Sequence, residues 1–178
     1  MSRRIKLIIL AIFLVLLAIP TVHFYLHWRP RNPLHFQLVN VEPPVAGDPR
    51  YARTARIVVH NTCGTPIHLE FSEVTNSDAR GYGYGQIYPE LRVGPHLEDT
   101  IVPSHGSVAM TSTWFLGVPG NTPPADDLKV KYTWNSDLKW RTRRLYQQLF
   151  DLAPNFFAGK LPAIVTDLDT TPLQGAVK

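Results

Sequence analysis

Residues 128–134 read Leu-Lys-Val-Lys-Tyr-Thr-Trp. Leu128, Val130, Tyr132 and Trp134 alternate with Lys129, Lys131 and Thr133, so one side of the segment is apolar and the other is wetted. A period of two residues with one wet face belongs to an antiparallel sheet packed on one side only. The stretch is expected to be a central strand, and its neighbours repeat the pattern. Ser107–Phe115 (SVAMTSTWF) puts Val108, Met110, Ser112 and Trp114 on one side. Pro66–Val74 (PIHLEFSEV) sets Ile67, Leu69 and Phe71 against His68, Glu70 and Ser72. Thr54–Asn61 (TARIVVHN) is rich in β-branched residues, and His35–Glu42 (HFQLVNVE) precedes it as a first strand. Shorter candidates lie at 86–93 and 97–102, and Ala163–Asp169 is expected to be the last strand. The 16 prolines fall largely between these runs, where each removes a backbone donor and stops any long helix.

After Asn135 two readings compete. As a hairpin partner, Leu138, Trp140 and Thr142 would alternate with Lys139, Arg141 and Arg143. As a helix, Ser136 or Asp137 caps the start, and Leu138, Thr142, Leu145, Leu149 and Leu152 form one seam before Pro154. The helix accounts for more residues and is adopted. Seven or so short strands with regularly spaced turns point to a mainly all-β fold. The expected form is an Ig-like or fibronectin-like antiparallel β-sandwich with one C-terminal amphipathic helix. Cys63 is the only cysteine, which excludes an internal disulfide and the Cys…Trp…Cys pattern of immunoglobulin domains.

Upstream of the strands, Leu7–Leu26 (LIILAIFLVLLAIPTVHFYL) holds no Lys, Arg, Asp or Glu. As a helix it spans about 30 Å, the thickness of a bilayer's hydrocarbon. Tyr25 and Trp28 suit the interface beyond it, and Arg29 and Arg31 the headgroups. A cleaved signal peptide would need a small-x-small site, and Pro20-Thr21-Val22-His23-Phe24 offers none. Arg3, Arg4 and Lys6 bias the N-terminus toward the cytoplasm. The expected organisation is a basic N-terminus (1–6), a transmembrane signal-anchor helix (7–28), a spacer (29–34), an extracytoplasmic domain (35–170) and a tail (171–178). Of 18 basic residues three precede the apolar run, leaving 15 against 14 acidic ones. A near-neutral domain gives no reason to expect a nucleic-acid partner.

Few residues announce chemistry. His60, Cys63 and His68 surround one expected turn and are ligand types for zinc or copper, yet they match no standard spacing and supply only three ligands. Gly81–Gly85 (GYGYG) lacks the helix a phosphate loop needs, but Tyr82 and Tyr84 on a glycine-rich segment, with Trp140, suit contact with a partner. Lys129, Lys131, Lys139, Arg141, Arg143 and Arg144 concentrate positive charge. Lys139, Arg141, Arg143 and Arg144 are therefore candidates for contact with anionic lipid. Glu98-Asp99 and Asp126-Asp127 read as strand-start or turn acids, and Asp167 and Asp169 lack the remaining ligands of a calcium loop. No catalytic arrangement and no cofactor is expected. The functional expectation is a non-enzymatic binding or scaffolding module of the cell envelope, held by membrane lipid through its helix and meeting another envelope protein or a surface polymer. The alternatives are a metal-handling protein and a hydrolase with a loop-borne site.

Overall fold

The alternation at residues 128–134 is realised in a strand covering Leu128–Ser136, with Leu128, Val130, Tyr132 and Trp134 buried and both lysines exposed. The structure is a computed structural model and describes residues 2–43, 52–76, 83–90, 100–115, 128–157 and 159–175. In chain order its elements are helix α1 (Arg3–Trp28), strands β1 (Leu34–Val41), β2 (Ala52–Asn61), β3 (Ile67–Asn76), β4 (Gly83–Pro89), β5 (Thr100–Val102), β6 (Ser107–Phe115) and β7 (Leu128–Ser136), helices α2 (Asp137–Leu152) and α3 (Pro154–Phe157), and strand β8 (Asp167–Gln174).

The strands do not stack as two sheets. They run β4-β6-β2-β1-β8-β7-β3, and β4 pairs with β3 as well as β6, so the sheet closes into a seven-stranded barrel. The expected Ig-like sandwich is thereby overturned. The physical reason is that a sandwich and a small barrel demand the same alternation of apolar and polar residues, and only strand pairing separates them. β5 adds to β3 at Ile67–Leu69, below the point where β4 takes over the same edge at Glu73–Thr75. Pairing is antiparallel except between β1 and β8.

The barrel interior is filled by side chains. Trp114, Trp134, Tyr132 and Phe36 are among its largest fully buried residues, and the Phe36 and Tyr132 rings lie 5.2 Å apart. In β3 a register shift between Leu69 and Phe71 moves burial from Ile67 and Leu69 to Ser72 and Val74. Phe71, expected inside, is only half-buried, because a bulge inserts one residue and reverses the facing of everything after it. β8 begins four residues later than expected and runs through Gln174, so residues 171–174 are strand rather than tail.

The pairings give the barrel two ends. The first residues of β1, β3, β6 and β8 and the last of β2 and β7 share one end, called here the base. Asn61 organises the turn there. Its amide donates to the Thr65 and Val102 carbonyls, and its side-chain oxygen accepts from the Cys63 N–H. α1 arrives at the same end. It is long and apolar enough to cross a membrane, and none of its residues is buried.

Candidate functional site

The junction where α1 meets the base gathers charged and aromatic groups from α1, β7, α2 and β8. Ser136 closes β7 and caps α2. Its hydroxyl oxygen accepts from the Lys139 N–H at 3.3 Å, satisfying one of the free donors of a helix start, and its hydroxyl donates to the Trp28 carbonyl at 2.9 Å. One side chain thus couples the end of a strand, the start of a helix and the exit of the anchor.

Lys139, in the first turn of α2, is turned inward and only 6% exposed. Its Nζ lies 2.5 Å from Oδ2 of Asp167 and donates to the Val165 carbonyl at 3.2 Å. The other Asp167 oxygen lies 3.1 Å from Nε of Arg29, the residue after α1. A buried lysine requires such partners, because an unpaired ammonium in a dry site is very costly. The Trp28 ring stands 5.8 Å from Lys139 Nζ. Trp28, Arg29, Lys139 and residues 163–168 line a hollow of about 450 Å³. Two cations and one carboxylate give it an excess positive charge. The arrangement suits an anionic group at its mouth, and beside it the Thr166 hydroxyl donates to Glu70.

A second polar set fastens α2 beside it. The His68 ring is buried, stacked 4.4 Å from the Trp140 ring, with Nε2 3.3 Å from Asp137. Asp137 also holds Nε of Arg141 at 2.8 Å. Glu70 of β3 accepts from Asn135 at 2.7 Å, Arg143 at 2.8 Å and Thr166 at 3.1 Å. The side of α2 that meets the barrel is therefore its polar side. At about 100° per residue, Lys139, Trp140 and Arg143 share one half of the helix and Leu138, Leu145, Leu149 and Leu152 the other. Leu145 is 51% exposed and Leu152 82%. Leu138 and Leu149 are half-buried, so the part of the apolar stripe left open is the one formed by Leu145 and Leu152.

The residues singled out in the sequence scatter. His60 faces Gln37, 3.3 Å away, on the outer wall, Cys63 is half-buried in the base turn, and His68 is under Trp140. Among the described residues no three His, Cys, Asp or Glu side chains come together as a metal site. Tyr82 lies outside the described residues. Tyr84 is in β4 near the far end of the barrel, whereas Trp140 is in α2 at the base. Glu98-Asp99 and Asp126-Asp127 also lie outside the described residues. Lys139, expected on the surface, is buried, because Asp167 draws it inward. Arg141 and Arg143 are exposed but paired with Asp137 and Glu70, and Arg144 lies over the Trp140 ring at 5.1 Å. Sequence reasoning missed Trp28, Arg29, Ser136, Glu70 and Asp167 as a group. The only sign was Asp167 in the expected last strand, which means nothing until Lys139 is placed beside it. No known family model matches the chain, and no curated protein matches it in sequence.

Proposed function

We propose that the chain is a single-pass membrane protein whose barrel is a non-enzymatic binding or scaffolding module of the cell envelope, with the N-terminus cytoplasmic and the barrel outside. The observation that carries this reading is the latch at the junction. A tether that merely retained a domain would need only a loose linker. Here Ser136 grips the Trp28 carbonyl, and Arg29 and Lys139 share Asp167. These contacts fasten the base of the barrel to the end of the anchor, which supports a fixed tether with the far end remote from it. The interior is packed with Trp114, Trp134 and Tyr132, which leaves the outer wall and far end as the surfaces for a partner. The orientation rests on Arg3, Arg4 and Lys6 before the apolar run.

The test places a photo-crosslinking residue at exposed Thr113, on β6 near the far end, in full-length protein within its native membrane. A discrete adduct of defined mass, formed from outside the cell, supports the reading. A chain that stays monomeric and adduct-free at every expression level counts against it.

A further inference from the structure

We infer that α2 and α3 form a second membrane contact, an amphipathic element lying in the headgroup–acyl boundary of the bilayer that α1 crosses. The inference deepens the tethered reading above and rests on it. The first argument is position. Ser136 caps α2 and bonds the Trp28 carbonyl, so α2 starts at the depth where the anchor leaves the hydrocarbon. The second is direction. α2 does not fold back along α1, none of whose residues is buried, and it does not lie with its stripe on the barrel wall, since Lys139 is its only buried residue. The third is facing. Lys139, Trp140 and Arg143 bind the base from one side, and on the other half of the helix Leu145 and Leu152 stay exposed while Leu149 is half-buried.

The chemistry fits that occupant. Leu145, Leu152 and Phe156 are 51%, 82% and 62% exposed, a large apolar display for a surface helix. Residues 137–160 carry five basic side chains against two acidic ones. Arg141 and Arg144 are exposed on α2, and Lys160 lies 4.2 Å from the Phe156 ring. An apolar stripe flanked by cations is the composition of a helix that lies in an anionic interface, its leucines at acyl depth and its basic groups among phosphates. A second protein would also cover leucines, but nothing in the fold places one at headgroup depth, whereas the anchor brings the bilayer there.

The experiment uses full-length protein with Cys63→Ser, reconstituted in vesicles of phosphatidylcholine and phosphatidylglycerol. An environment-sensitive fluorophore is attached at Leu145→Cys, Leu152→Cys, Gln147→Cys or Leu16→Cys in turn. Spin-labelled lipids then quench according to depth. Labels at 145 and 152 are expected to shift to the blue and to lose intensity with lipids labelled high on the acyl chain. The label at 16 should respond to mid-chain quenchers and the one at 147 to neither. If 145 and 152 behave like 147 while 16 is still quenched, the surface helix is wrong and the tether stands. A blue shift at 145 and 152 without quenching assigns the stripe to a protein partner and also overturns the inference. An unquenched label at 16 removes the tether and the inference together.

Discussion

Asp167 is the residue on which the junction turns. Each of its oxygens holds one cation, Lys139 on one side and Arg29 on the other, and both the aspartate and the lysine are almost fully buried. Removing the buried partner leaves a carboxylate that only an exposed guanidinium can serve, so Lys139→Met is expected to lower unfolding free energy by about 3 kcal/mol. Asp167→Leu added to Lys139→Met should recover part of that loss, because no orphaned charge then remains. Urea unfolding of Lys139→Met, Asp167→Leu and the double variant measures the coupling, and a double-variant loss equal to the sum of the two single losses would show that the pair is not coupled. Inside the barrel, Tyr132 makes a pH prediction. Burial, reinforced by the negative charge of Asp169, pushes its phenol well above the ordinary tyrosine range. A group whose ionisation is raised by folding contributes stability that is intact below the unfolded value, about pH 10, and lost as pH climbs past it. Melting temperature should therefore fall steeply from about pH 10 upward, and less steeply in Tyr132→Phe. Parallel curves for the two proteins would assign the alkaline loss to other groups.

At the scale of elements, β4 decides between an open and a closed sheet. It pairs with β3 through Gly83, Gly85 and Gln86 and with β6 through Ile87–Pro89, and Gly85 also lies close against the backbone of β6. Its φ is +155°, and a Cβ there would collide with the Thr113 carbonyl of β6. Glycine lets the two backbones approach, as at other barrel corners. Gly85→Val is expected to cost more than about 1 kcal/mol and to raise hydrogen exchange in β4 before the other strands. Uniform protection in the variant would mean that closure does not hinge on this position. The helix α2 was legible as a helix from its Leu138–Leu152 seam and its Ser136 cap. Which way the seam would face was not legible, because a periodic stripe states that one side is apolar and leaves open whether barrel or lipid covers it. The bulge in β3 was equally hidden: Ile67, Leu69 and Phe71 alternate faultlessly in the sequence, and only the partner strand reveals the extra residue.

Over the whole molecule, the exposed α2–α3 residues and the apolar helix α1 lie at the same end, so under the proposed tether the base is the surface that faces the bilayer. A chain lacking residues 1–26 keeps Trp28 and Arg29 at the junction but loses the bilayer that covers the stripe. It is expected to self-associate or to retain detergent, and Leu145→Gln with Leu152→Gln should return it to a monomer by light scattering. A truncated chain that is monomeric without these changes would show that the leucines tolerate water.

The sequence by itself determined the local facts: an apolar run long enough to cross a bilayer, strands marked by two-residue alternation, a capped amphipathic helix before Pro154, and no possible internal disulfide. Each follows from a period or a composition that neighbouring residues carry alone. Tertiary structure decided that the strands close into a barrel, that Lys139 is buried and that α2 leaves Leu145 and Leu152 exposed. Those depend on residues distant in the chain, β4 against both β3 and β6, Asp167 against Arg29 and Lys139, and Ser136 against Trp28. Pairing across such distances is fixed by backbone register and charge burial, for which no local pattern exists.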